Sequence, residues 1–143
     1  MKIVPFQMEH LRMVAPQEAQ AYVRGGLIDT VRADGLGDAF SGFEGEACIG
    51  CAGIRPLWRG VGEAWAYLSP AALARPIALT RAAKRGLEAA LSDGGMWRVQ
   101  CVVRRGHVAA HEWAAFLGFE VEGLMTAYGP DGEDFFMYAR VNR

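Results

Sequence analysis

The sequence predicts an α/β (α+β) fold in which a mixed central sheet of about six to seven strands carries helices on both faces. Three observations lead there. Short alternating apolar runs, separated by glycine-bearing turns, crowd together between residues 39 and 68 in the manner of antiparallel hairpins. Two segments of helical spacing, Ile77 to Leu91 and His107 to Leu117, interrupt the later strand-like runs. The chain of 143 residues is of single-domain size and shows no repeat, low-complexity tract or linker, so one domain is expected over 1–143.

MKIVPF opens as a short strand, and Met8 to about Leu27 reads as one or two helices, with Pro16 at a break or first-turn position and Gly25-Gly26 as a stop. Asp34 to Asp38 is turn-like. Ala39 to Phe43, Ala47 to Arg55 and Glu63 to Leu68 then form a meander whose separators are Glu44-Gly45-Glu46 and Pro56 to Gly62. The helix Ile77 to Leu91 puts Ile77, Leu87 and Leu91 with alanines on one side, and Ser92-Asp93-Gly94-Gly95 ends it. Met96 to Val103 alternates as a strand, and His107 to Leu117 is a helix stopped by Gly118. Phe119 to Tyr128 and Phe135 to Val141 pair about the turn Gly129-Pro130-Asp131-Gly132. The order is β-α-βββ-α-β-α-ββ.

Composition excludes several classes. Apolar residues are 52% and charged residues 22%, the balance of a globular chain. Fifteen Lys plus Arg against sixteen acids give a net charge of −1, so no nucleic acid partner and no anionic membrane is expected. No apolar run reaches the roughly 20 residues of a membrane span, and the N-terminus lacks a signal-peptide core, which predicts a cytoplasmic protein. Three cysteines suit a reducing compartment. Strand spacing sends Cys48 and Cys51 to opposite faces, and no second CxxC or paired His completes a zinc site, so no metal is expected.

The element order and three local patterns carry a resemblance. Ile49-Gly50 stands inside the third strand, Leu68-Ser69-Pro70 ends the fourth, and Val103, His107, Ala110 and Gly118-Phe119 fall on the spacing V-x-x-x-N-x-x-A-x-x-x-Y-x-x-x-G-F. Over about residues 39 to 141 the chain resembles the GNAT superfamily of N-acetyltransferases. The resemblance implies that strands four and five splay apart and hold the thioester and pantetheine arm of acetyl-CoA, while the next helix N-terminus binds the pyrophosphate. An amine, of a small molecule or a peptide, attacks directly. A carboxylate or a water takes its proton, and a tyrosine on the fourth helix commonly protonates the thiolate.

Two departures stand out. The family's phosphate loop, Q/R-x-x-G-x-G/A, is replaced by AALARPIALTRAA, with no glycine between Pro70 and Gly86 and with Pro76 removing one N–H. The position spaced as the general-acid tyrosine is Ala114.

The candidate acyl-CoA-binding set is therefore Leu68 at the end of strand four, Arg75, Arg81, Lys84 and Arg85 around the following helix, and Arg104 and His107 at the mouth of strand five. Arg81, Lys84 and Arg85 share a helical face and read either as an anion site or as a solvated surface. His107 replaces the family's asparagine and either bonds the pantetheine arm or caps the helix. Glu63 is the candidate base, sharing a strand face with Trp65 and Tyr67, or else an edge glutamate in solvent. It stands one residue off the expected register, an offset that a bulge would account for. His111, one turn beyond His107, is a second proton-transfer candidate. The two histidines alone do not make a metal site.

Tyr67 or Tyr128 would substitute for the missing acid, and Cys101 reads as core. Asp131, Glu133 and Asp134 on the last hairpin would suit a cationic amine, and Trp58-Arg59 would mark a contact surface if exposed. The chain also resembles GNAT-like products of tailed phages, through its N-terminal helices and GVGEAWAYLSP. That likeness implies the alternative, a non-catalytic binding or assembly protein with a homo-oligomer or virion partner, located in the host cytoplasm or the virion.

Overall fold

The computed structural model describes residues 1–14, 38–74 and 77–142. Seven strands form one sheet in the order β1-β2-β3-β4-β5-β7-β6. The strands are β1 (Lys2–Pro5), β2 (Asp38–Glu44), β3 (Ala47–Trp58), β4 (Val61–Leu68), β5 (Arg98–Arg104), β6 (Glu120–Met125) and β7 (Phe135–Val141). The described helices are α1 (Met8–Met13), α2 (Pro70–Ala74), α3 (Ile77–Ser92) and α4 (Val108–Phe116). Every expected strand is present. The remainder of the helical expectation up to Leu27, with Pro16, Gly25 and Gly26, lies outside the described residues, as do Arg75 and Pro76. Among the described residues no helix is long and apolar enough to cross a membrane.

Hydrophobic burial divides the core between the two faces of the sheet. On one face α1 lays Leu11 over Cys48, Cys51 and Tyr67. On the other, Leu79 of α3 meets Ile49 and Leu68, while Leu87 and Leu91 join Val99, Val103 and Ala114. Sequence spacing placed Ile77 on the buried side of α3, yet it is 67% exposed, and Leu79 and Ala82 take the core positions. The buried set Leu79, Ala82, Leu87 and Leu91 keeps the helical period, and Ile77 falls off that stripe.

A bulge corrects the reading of the CxxC. Between β2 and β3 the pairing passes from Gly42↔Gly50 to Phe43↔Cys48, so Ile49 is an extra residue on the β3 side. The inserted residue reverses the strand's alternation, and Cys48 and Cys51 share a face with their sulfurs 3.8 Å apart. The β3–β4 connection is also shorter than expected. Pro56 lies within β3, paired with Gly62, and the turn is Arg59-Gly60. Proline is tolerated there because, among the described residues, β2 pairs with β3 as far as Ile54 and β4 is the strand paired beyond it.

That turn fixes the centre of the sheet. Gly60 has φ +80°, and its carbonyl accepts the N–H groups of both Trp97 (2.9 Å) and Arg98 (3.1 Å). Trp97 packs directly over it, where a Cβ would overlap the indole. β5 is thereby fastened beside the start of β4, in parallel, at Val61↔Arg98, Gly62↔Val99 and Glu63↔Gln100. The pairing goes no further, although β4 continues to Leu68 and β5 to Arg104.

Gly60→Ala should destabilise the protein by at least about 1–2 kcal/mol, the cost of a side chain in the left-handed region, with displacement of Trp97 added. Urea unfolding followed by tryptophan fluorescence measures it, and an unchanged midpoint would contradict this role for the turn.

Candidate functional site

Where β4 and β5 part, a cavity of about 590 Å3 opens. Ala64, Trp65 and Ala66 of β4 form one wall and Cys101 to Arg104 of β5 the other, with His107, Ala110 and Trp113 closing the α4 side. The lining is mostly apolar. Trp113 bridges the helices above it, donating its indole N–H to Thr80 Oγ1 of α3 at 2.9 Å. A second bridge places Lys84 Nζ 4.6 Å from the centre of the Phe116 ring, a cation–π contact between the same two helices.

The structure distributes the sequence candidates unevenly. Arg104 and His107 line the cavity together. His107 stands at the N-cap of α4 but its side chain makes no capping bond, and it is buried, so neither capping nor a surface role describes it. Burial first, and then repulsion of a protonated ring by its cationic or protonatable neighbours His111 and Arg104, holds its imidazole below the ordinary value. Arg81, Lys84 and Arg85 project from the exposed side of α3. Leu68 is buried at the end of β4, where Ser69 Oγ donates to the Ile49 carbonyl at 2.8 Å.

Glu63 sits at the last paired register, with Trp65 and Tyr67 following it on the α1 face. It is absent from the cavity wall, and Arg55 Nη2 and Nε both donate to its Oε1, at 2.6 and 3.0 Å. Tyr67 is 2% exposed, and its hydroxyl has no hydrogen-bond partner among the described residues. A buried phenol in that condition carries a desolvation cost, and such groups recur at reacting centres. Tyr128, by contrast, is 51% exposed and leans edge-on against Phe135.

His111 faces β7 and is held by three groups. Its Nε2 lies 3.0 Å from the carbonyls of both Arg104 and Arg105, so that nitrogen carries the proton, and Tyr138 Oη then donates to Nδ1 at 2.7 Å. Tyr138, on β7 opposite Cys101, was not singled out by sequence reasoning, because an alternating tyrosine in a terminal strand carries no mark of its partner. The Cys101 thiol lines the cavity, but burial, reinforced by Glu63, pushes its pKa up to about 12 and keeps it protonated. Of the hairpin acids, Asp131 is exposed, whereas Glu133 and Asp134 turn inward. Glu133 lies 4.0 Å from Arg104 Nε, and Asp134 accepts from Arg105 Nη1 at 3.2 Å and from the Ala127 N–H at 2.9 Å. Among the described residues no group of three His, Cys, Asp or Glu side chains could hold a metal ion.

With this geometry in view, the fold can be compared with known structures. A ribosomal-protein-alanine N-acetyltransferase from Brucella melitensis superposes with a TM-score of 0.73 at 14% identity, covering 99% of this chain and 100% of that one. A GNAT-family acetyltransferase from Bacillus anthracis gives 0.71 at 13% identity over 97% and 93%. A spermidine N-acetyltransferase variant from Vibrio cholerae gives 0.69 at 14% identity over 99% and 95%. No family model matches the sequence, and no curated protein matches it either. The chain therefore has the GNAT fold, in a divergent sequence.

His107 makes stability depend on pH in a defined direction. The unfolded chain takes up a proton near the ordinary histidine value of 6.5, whereas the folded protein resists protonation until a lower pH. Between those two values the unfolded state binds more protons, so stability falls as pH falls below 6.5. Urea midpoints measured across that window should decline, and His107→Gln should flatten the decline.

Proposed function

We propose that the chain is an acyl-CoA-dependent N-acyltransferase that transfers an acetyl-type group to a primary amine. The observation that carries this reading is the parting of β4 from β5 after Glu63↔Gln100, directly beside the cavity. The residues present suit the thioester end of the donor and its amide-bearing arm, because Ala64, Ala66 and Val103 wall the opening while Arg104 and His107 offer polar groups beside it. At the phosphate end, Arg81, Lys84 and Arg85 supply side-chain cations where the glycine loop is missing. Arg75 belongs to the same proposed set. The bound donor would supply an acyl group activated as a thioester.

Glu63 is the proposed acceptor of the amine proton, directly or through water, and the Tyr67 hydroxyl the proposed donor to the departing sulfur. His111 is the reserve proton acceptor, although its present bonds occupy both ring nitrogens. The named structural neighbours acetylate spermidine and a ribosomal-protein alanine, and both acceptor types suit this reading. Such a donor places the protein in the cytoplasm.

A second reading is a non-catalytic binding or assembly domain with a homo-oligomeric or virion partner. Trp58, 67% exposed at the end of the β3–β4 hairpin, favours it, as does alanine at position 114.

Titration calorimetry with acetyl-CoA separates the two. Backbone donors to the phosphates are lost with the loop, and each charge-assisted bond contributes about 1.5–3 kcal/mol, so the expected Kd is on the order of 10 μM to 1 mM. Absence of binding at millimolar ligand would favour the assembly domain. Two substitutions then test the roles. Glu63→Gln should lower turnover by about 10²- to 10⁴-fold while acetyl-CoA affinity holds. Tyr67→Phe should lower turnover and yet leave the fold as stable or up to about 1–3 kcal/mol more stable, since it removes a buried hydroxyl without a hydrogen-bond partner among the described residues. Full activity in either variant would withdraw that residue's role.

A further inference from the structure

The cavity does not end at the cleft between β4 and β5. It continues beneath α3, past Ala52, Gly53 and Ile54 of β3, as far as Asp38 and Asp93. The cause lies in the pairing of small residues across two layers. On the sheet side β3 and β4 present Ala52, Ala64 and Ala66, and the overlying helix presents Ala83, Gly86 and Ala90. Side chains of this size do not bridge the space between a sheet and a helix, so the layer stays open where larger residues would fill it. An unfilled apolar cavity is destabilising, whereas a ligand placed there recovers the lost contacts. An acetyl group, with three heavy atoms, needs only a small part of about 590 Å3.

We infer that the part of the cavity beneath α3 is an acyl-chain chamber, and that the preferred donor carries a medium-length, unbranched hydrocarbon chain instead of acetyl. This rests on the acyl-CoA reading above. A carbonyl lodged where the strands part leaves one continuous direction for its chain, between Ala64 and Cys101 and on under Leu87 and Ala90. The occupant is an uncharged chain, because among the described residues that stretch of wall carries no charged side chain until the far end. There Asp38 and Asp93 stand exposed, so a chain ending in a carboxylate would meet two like charges.

The test is calorimetric titration of the unmodified protein with free CoA and with acetyl-, butanoyl-, hexanoyl- and octanoyl-CoA. Affinity should rise by about fourfold per added methylene, the equivalent of about 0.8 kcal/mol, until the chamber is filled. The octanoyl derivative with a terminal carboxylate should bind at least about tenfold more weakly than octanoyl-CoA. Trp65 and Trp113 line the cavity, so the longer chains should also change the tryptophan fluorescence. Ala90→Leu narrows the chamber and should bring the ratio of octanoyl- to acetyl-CoA affinity close to one. Equal affinity for every chain length would overturn the chamber and leave the acyl-CoA reading standing. Failure of every thioester to bind would overturn both.

Discussion

The structure depends on a single fastening, the carbonyl of Gly60 accepting the two N–H groups that begin β5. It joins two antiparallel half-sheets, β1 to β4 and β5-β7-β6, each with its own antiparallel pairing. β4 is paired with β3 along its length, and β5 with β7 from Arg98 to Arg104. Between the halves only three parallel registers form. Strands twist, and two half-sheets fixed at one end diverge at the other unless something holds them. The tight turn at Arg59-Gly60, with Trp97 laid over it, thus determines both where the sheet is closed and where it opens.

At the open end the helices do what the backbone does not. Trp113 to Thr80 and Lys84 to Phe116 tie α4 to α3 across the gap, so the two halves are connected above the cavity as well as at its closed end. The cavity survives between these ties because the positions of β3, β4 and α3 that face one another across it include Ala52, Ala64, Ala66, Ala83, Gly86 and Ala90. A larger residue at Ala52 or Ala66 would fill the layer and gain burial, which makes the small residues a cost to stability in the absence of an occupant.

Much of the fold was legible because it follows from short-range rules. Glycine-bearing turns, alternation and helical spacing located all seven strands, and α3 and α4 to within a residue or so. What escaped depended on register. The extra residue Ile49 flips the parity of Cys48 against Cys51, and no alternation pattern shows a bulge before the partner strand is known. The inward turn of Glu133 and Asp134 toward Arg104 and Arg105 depends on two loops 29 residues apart coming together. The site was legible as a list of residues and not as a volume. Ala52, Ala64 and Ala90 attract no notice one by one, and the void exists only where they face one another.

The same opening explains how candidate groups on opposite faces of a sheet could serve one reaction. Glu63 and Tyr67 lie on the α1 face, whereas the cavity lies on the α3 face. An intact sheet would keep them apart. Beyond Glu63↔Gln100 no strand lies between them among the described residues, so a group lodged in the cleft would be open to both faces there. On the proposed acyltransferase reading, the donor and the amine would approach from different faces. Of the acids on the last hairpin, Glu133 lies near Arg104 and Asp134 pairs with Arg105, while Asp131 stays exposed, so the hairpin keeps some negative charge for a cationic amine. On the same reading, discrimination among amines would fall to shape around Trp65 and Tyr67 together with that charge, and selectivity for the donor to the depth of the proposed chamber beneath α3.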